Sequence, residues 1–195
     1  MAPPASEMRA EYTGLTPYVL TDDILYGPIR TRRTGLSLGV NLLPPDVKVC
    51  SFNCVYCQCG WTTIRPEDAA GKGLTYPSSA RIEERTAEGF RTLAAAGEWP
   101  DTITLSGNGD PTLHPEFGRA VDIVIAQRDR FLPGAHVTIL SDGTELGRDD
   151  VIRGLNRLDE RHMKLDAGDA ATLKQIDIPL VPFDSDRSQK GPSGS

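Results

Sequence analysis

No apolar run in this 195-residue sequence approaches membrane-spanning length, and its opening residues, MAPPASEMRAEY, hold no apolar export core. Both absences make the cytoplasm the expected compartment and a membrane partner unexpected. A basic surplus is missing as well: 21 Lys and Arg stand against 27 Asp and Glu, a net charge of −6. Broad affinity for nucleic acid needs the opposite sign, so a nucleic-acid partner is not favoured. No internal repeat is present. Cysteine is absent everywhere except in CSFNCVYCQCG, residues 50–60, which holds all four. In a reducing compartment, thiols crowded like this more often bind metal than form disulfides.

What is present is otherwise ordinary: 38% hydrophobic and 25% charged residues, enough chain for one domain with a real core. Residues 1–15 read as a flexible lead-in, 16–183 as the core domain and 184–195 as a disordered tail. Within the core, strand and helix patterns alternate. LSLGVNLL (36–43), DTITLSG (101–107), HVTILSDG (136–143) and RHMKLDAGD (161–169) read as strands. Helices are expected over 80–97 with Ser79 as cap, over 115–131 with Pro115 in the first turn, over 148–159, and over the short ATLKQI. YVLTDDILYGPI (18–29) adds an N-terminal strand or hairpin. Four strand–helix units argue for an α/β fold with a parallel sheet covered by helices. Polar residues follow each strand: the cysteine loop, Asn108-Gly109-Asp110, Ser141-Asp142-Gly143 and Asp166-Ala167-Gly168-Asp169. In parallel α/β folds these strand ends carry the site, so four distant segments are expected on one rim.

Cys50, Cys54 and Cys57 follow the spacing C-x3-C-x2-C. Iron–sulfur clusters are held by closely spaced thiolates, and three ligands leave one iron open. A four-cysteine zinc site is the lesser reading, because Cys57 and Cys59 stand closer than zinc ligands usually do. A buried stripe of small apolar thiols on a helix is weaker still, since Pro and Gly bracket the segment. Cys59 is a spare whose role the spacing leaves open.

With Tyr56 directly before the last cysteine of the trio, this loop resembles the signature of the radical S-adenosylmethionine (radical SAM) superfamily. The resemblance extends to YGPIRTRRTGLSLGVNLLPPDVKVCSFNCVYCQCG (26–60), SGNGDPTLHPEF (106–117), TILSDGTEL (138–146) and KLDAGD (164–169). Together these look like small iron–sulfur oxidoreductases related to wyosine-synthesising tRNA enzymes. The resemblance implies a partial, shortened TIM-like β/α barrel. It implies a [4Fe–4S] cluster on Cys50, Cys54 and Cys57, with SAM on the fourth iron. It further implies a one-electron donor of flavodoxin or ferredoxin type, reductive cleavage of SAM to a 5′-deoxyadenosyl radical, and hydrogen abstraction from a substrate. A small molecule or nucleotide-like compound is favoured there, with tRNA or a glycyl-radical protein left open. A cluster protein that transfers electrons without cleaving SAM is the alternative.

Carried over residue by residue, the resemblance places Asp110 and the backbone of Gly107 and Asn108 near the SAM ammonium. It places Lys164 and Asp166 near its carboxylate and ribose, Ser141 and Asp142 at the next strand end, and Tyr56 near adenine. Lys164 and Asp166 would alternate on a strand and so face the barrel interior together. Relatives usually carry Glu where Asp110 stands. His114 reads as structural, while His136 and His162 suggest nothing specific. Arg30, Arg32 and Arg33 suit a carboxylate or phosphate, or equally a solvated face. Four strand–helix units fall short of the family barrel. A second copy completing it, a naturally short chain and a truncated one are all open.

Overall fold

The computed structural model describes residues 20–68 and 73–181. Five strands form one sheet in the order β1-β2-β3-β4-β5. They are β1 Leu25–Thr31, β2 Gly35–Val40, β3 Thr102–Leu105, β4 His136–Ser141 and β5 Glu160–Met163. β1 and β2 make an antiparallel hairpin, and every later pairing is parallel. Four helices follow the parallel strands: α1 Ser79–Ala96, α2 Phe117–Phe131, α3 Asp149–Leu155 and α4 Ala170–Ile176. Because sheet order equals chain order, right-handed crossovers put the helices on one face. That is the winding of a barrel and not of a doubly wound sheet. The expected shortened TIM-like α/β architecture is what the chain adopts. The lead-in and tail expected at the ends, 1–15 and 184–195, lie outside the described residues.

The pleat separates the two faces of this sheet. Leu38, Val40, Ile103, Leu105, Val137 and Ile139 join Ile82, Phe90, Phe117, Val121 and Val124 in one core. Burying each such side chain is worth about 1.5–3 kcal/mol. The alternate positions are small or polar: Ser37 and Thr104 share a hydroxyl hydrogen bond of 2.7 Å, and Thr102 and Thr138 are buried beside them in register. Helices therefore pack on a greasy face, while the other face carries these hydroxyls together with the exposed Leu140.

Several sequence-based boundaries shift. Ser78, not Ser79, caps α1, its side chain accepting from Arg81 N–H, because Ser79 already has helical backbone. Gly97 closes that helix in the left-handed conformation at φ 73°, its N–H reaching back to Ala94 O. Pro115 precedes α2 instead of entering it, and Glu116 takes the cap position. β2 ends at Val40 and β5 at Met163, each shorter than the apolar run suggested. Lys164 and Asp166 consequently lie beyond the strand. The Arg30, Arg32 and Arg33 side chains are exposed at the β1–β2 turn. That turn sits where the parallel strands begin, beside Asp101, whose carboxylate accepts from Leu36 N–H. It is the end of the sheet opposite the cysteine loop.

Candidate radical and metal centre

β2 runs out into Asn41, whose side chain accepts from Leu43 N–H and from Asn108 N–H at 3.1 Å. The chain then turns through Pro44-Pro45 and climbs to the loop. Val49 fixes the loop's base: its N–H donates to Asn108 O at 2.8 Å, and its carbonyl accepts from Asp110 N–H at 3.1 Å. Gly109 makes this approach feasible, since a Cβ there would lie 1.8 Å from the Val49 carbonyl oxygen. The far side of the loop is pinned by the chain after α4. Asn53 N–H donates to Asp177 O, Val55 N–H to Ile176 O, and Leu180 N–H to Ser51 O. The segment IDIPL, which the sequence left without a role, is thus the loop's outer buttress.

Cys50, Cys54, Cys57 and Cys59 are all free and partly buried on this frame. Burial pushes the Cys50 thiol well up, and the neighbouring Asp142 carboxylate adds to that; Cys50 Sγ stands 3.6 Å from Asp142 Oδ2. Cys54 is raised chiefly by burial. Cys57 goes the other way, drawn down first by a hydrogen bond from Cys59 and, against burial, by the Lys48 ammonium. Cys59 Sγ donates to the Gly107 carbonyl at 3.2 Å. Among the described residues no three His, Cys, Asp or Glu side chains converge on a single point as one metal ion requires. A cubane needs no such point, because each cysteine ligates a different iron. The donor chemistry of the three thiols fits such a cluster.

The other strand ends reach the same rim. Asp110 is 3% exposed. Its carboxylate accepts from Thr112 N–H at 2.8 Å and hydroxyl at 2.5 Å, Ser141 Oγ at 2.9 Å and Asp142 N–H at 2.5 Å. It braces β3 against β4. Asp142 turns its own carboxylate to the Thr144 N–H and hydroxyl and to Cys50. Burial, then the adjacent Asp110, raises its pKa far above the usual carboxylate range. Ser141 is buried between Asp110 and the Gly143 N–H. Asn108 is buried too, its amide clasping Thr21 and the Pro44 carbonyl. The carbonyls of Gly107 and Asn108 are engaged by Gly109 N–H and Val49 N–H.

Tyr56, Lys164 and Asp166 meet on the outer lip. Lys164 Nζ donates to the Tyr56 hydroxyl at 2.9 Å and pairs with both Asp166 and Asp177. Burial lowers the Lys164 pKa, but these carboxylates more than offset it and hold the ammonium charged. Its charge also lies 5.4 Å from the ring centres of Phe52 and Tyr56. Leu165 points away, 84% exposed, so Lys164 and Asp166 share one side even without a strand under them.

A family profile described as the radical SAM superfamily matches residues 46–181. The chain belongs to that superfamily. Among curated relatives, a UPF0026 protein of Helicobacter pylori is 29% identical over 80% of this chain and 46% of its own length. A UPF0026 protein of Synechocystis is 32% identical over 86% of the chain and 57% of its own. One from Methanocaldococcus jannaschii is 30% identical over 86% and 48% respectively. This radical SAM chain thus spans about half the length of the curated relatives it matches. Their descriptions name no tRNA-modifying branch, and the narrower wyosine kinship gains nothing from them. Among the described residues no helix is long and apolar enough to cross a membrane.

Sequence reasoning found the trio and the four strand ends. It missed Lys48 and Asn41. Lys48 lies two residues ahead of the first cysteine, and a lysine there reads as surface. Asn41 follows a buried strand, where an amide facing the interior has a backbone to satisfy.

Proposed function

We propose that this chain binds a [4Fe–4S] cluster through Cys50, Cys54 and Cys57 and carries out radical SAM chemistry at the C-terminal rim of its sheet. The observation that supports this most directly is the placement of the three-cysteine loop. It is clamped between the β3 exit and the post-α4 segment, at the end where strand-borne sites of parallel α/β folds sit. Held by these three thiolates, such a cluster would supply one-electron reduction of the SAM sulfonium, with a flavodoxin- or ferredoxin-like donor as the electron source and methionine and a 5′-deoxyadenosyl radical, which would take hydrogen from the substrate, as the products.

The chain's residues bind and orient. The three thiolates hold iron. Lys164, neutralised in part by Asp166 and Asp177, and Tyr56 form a polar lip for the SAM carboxylate, ribose and adenine edge. Asp110 acts through Ser141 and Asp142, fixing the floor beneath Gly107 and Asn108, beside which the ammonium would lie. The sheet face away from the helices carries hydroxyls, which suits a polar small molecule or nucleotide-like substrate better than a greasy one. A net charge of −6 argues against tRNA. Among the described residues β5 is an edge strand of the sheet, a place where a second copy could pair.

The test is anaerobic reconstitution with iron and sulfide, followed by dithionite and SAM. Release of 5′-deoxyadenosine is expected, and its loss with any one of Cys50→Ala, Cys54→Ala or Cys57→Ala. A fully loaded cluster whose EPR signal ignores SAM and that yields no 5′-deoxyadenosine would leave only the electron-transfer alternative.

A further inference from the structure

Lys164 and Tyr56 point their donors at one atom. Lys164 Nζ and the Tyr56 hydroxyl both donate to Asp166 Oδ2, and the two donors stand 2.9 Å apart. An ammonium and a phenol converging on a single carboxylate oxygen make a cradle for a carboxylate, and the one that fills it here belongs to the chain itself. A second carboxylate, Asp177, holds the same ammonium through Oδ1. The two are not alike. The Asp177 side chain is 1% exposed; its N–H donates to Leu173 O and its carbonyl accepts from Asn53 N–H, so it is fixed in place. The Asp166 side chain is 32% exposed. It stands between β5 and α4 on a stretch, 165–168, that makes no backbone–backbone hydrogen bond among the described residues. Gly168, two residues on, has open space where a Cβ would be.

We propose that Asp166 is a resident stand-in for a ligand carboxylate: it fills the Lys164–Tyr56 cradle in the ligand-free protein and is displaced when a ligand's carboxylate enters. This rests on the reading above that the lip takes the carboxylate of SAM. Charge makes displacement necessary. One ammonium already faces two carboxylates, and a third at the same place would leave two negative charges uncompensated. The buried Asp177 stays and keeps the ammonium aimed, while the exposed Asp166 swings out. Affinity for a carboxylate ligand is therefore lowered by the fraction of time that Asp166 holds the cradle. A ligand without a carboxylate leaves Asp166 where it is. Asp166 thus sets, through Lys164, how strongly the lip selects for a carboxylate.

Wild type, Asp166→Asn, Lys164→Met and the double variant are compared in two measurements. The first is anaerobic equilibrium dialysis of the reconstituted, oxidised proteins against SAM and against its decarboxylated analogue, which keeps the adenosine, sulfonium and ammonium. The readout is the ratio of the analogue's Kd to that of SAM. Asp166→Asn is expected to raise this ratio about two- to fivefold, the worth of a partly exposed ion pair. On the Lys164→Met background the same substitution should leave it unchanged. A ratio that stays put or falls in Asp166→Asn overturns the inference, as does an equal loss of both ligands, which a ribose contact predicts. A rise that persists without Lys164 overturns it too. A wild-type ratio that Lys164→Met does not alter takes the SAM carboxylate away from this lip and overturns the inference together with that assignment. The second measurement, on the cluster-free proteins, is acetic anhydride labelling of Lys164 relative to the exposed Lys174, read by mass spectrometry. Lys164 should label faster in Asp166→Asn than in wild type, because the carboxylate no longer covers the amine; an unchanged rate overturns the inference. Wild type that takes up no iron defeats the cluster assignment alone, and labelling and dialysis of that same protein still decide the case for Asp166.

Discussion

Ser141 Oγ donates to Asp110 Oδ2 at 2.9 Å, joining the exits of β3 and β4 directly beneath the cysteine loop. Three further donors, Thr112 N–H, the Thr112 hydroxyl and Asp142 N–H, close on the same carboxylate. Asp110→Ala would strip the acceptor from a buried cluster of donors. Each donor left unsatisfied costs about 1–3 kcal/mol, so a total loss of several kcal/mol is expected. Ser141→Ala removes one donor and spares the others, and should cost roughly 1 kcal/mol. Urea denaturation of both variants checks the order. An Asp110→Ala protein as stable as wild type would show the carboxylate to be free for a ligand instead.

Gly109 stands at φ 130°, with the Val49 carbonyl oxygen 1.8 Å from where a Cβ would be. Gly109→Ala must therefore push the base of the cysteine loop away from the β3 exit. We expect a destabilisation of at least about 1–3 kcal/mol from the strained backbone. Iron uptake should fall disproportionately, because the Val49 contacts orient the loop. Gly134→Ala, where a Cβ meets nothing within 4 Å, is the matched control. Iron content per chain and thermal melting of the two variants decide the matter.

His114 carries a pH dependence with a definite sign. Its ring is buried, with Nε2 3.0 Å from the Pro77 carbonyl and Nδ1 accepting from Glu116 N–H at 3.0 Å. Those partners fix the neutral tautomer with the proton on Nε2 and leave no acceptor for a second proton. Burial lowers the pKa below the ordinary 6.5. The unfolded chain thus binds the proton more readily than the folded one. The stabilising contribution is complete above pH 6.5 and drains away as pH falls from there through the lowered folded value. Melting temperature measured between pH 8 and 5 should decline less steeply in His114→Gln, after subtraction of the common carboxylate background. Identical slopes in both proteins would refute the assignment.

The parallel strands and their helical cover were legible because apolar runs bounded by Pro and Gly are a strong signal, as in TITL, which is buried at every position. Spacing marked the cysteine trio as a metal-binding candidate, and the three lie partly buried on one loop. What stayed hidden is long-range hydrogen bonding. Nothing local marks Asp110 as an internal brace, since the same Gly-Asn-Gly-Asp string would serve a ligand or a turn equally well. Asp177 is likewise invisible in sequence: it lies in an unremarkable helix end, yet it caps α4, accepts from Asn53 N–H and pairs with Lys164. The alternation argument put Lys164 and Asp166 on one strand, whereas both lie beyond β5, and Lys164 pairs there with Asp166 and Asp177. Lys164 is drawn over by carboxylates and ring faces, not by strand pleat.

The basic turn provides a negative test. Arg30, Arg32 and Arg33 are exposed where the parallel strands start, across the sheet from the cysteine loop. The triple substitution to Ala should leave iron uptake and 5′-deoxyadenosine release at wild-type levels. Stability should change little, each surface replacement contributing within about 0.5 kcal/mol. A triple variant that binds iron normally but fails to cleave SAM would bring this turn to the rim and contradict the sheet topology.

Cys59 separates the three-ligand reading from a four-ligand one. Its thiol donates to the Gly107 carbonyl, and its hydrogen bond lowers Cys57. It therefore supports a ligand without being required as one. Cys59→Ser keeps a donor of smaller size in the same place. Iron and sulfide content after reconstitution should match wild type in Cys59→Ser and collapse in Cys57→Ser, with Cys50→Ser and Cys54→Ser behaving as Cys57→Ser does. A four-thiolate site would lose its metal equally in all four variants, because every corner of a tetrahedral zinc ion counts the same. Metal analysis on anaerobically prepared protein thus distinguishes an open iron site from a closed zinc one.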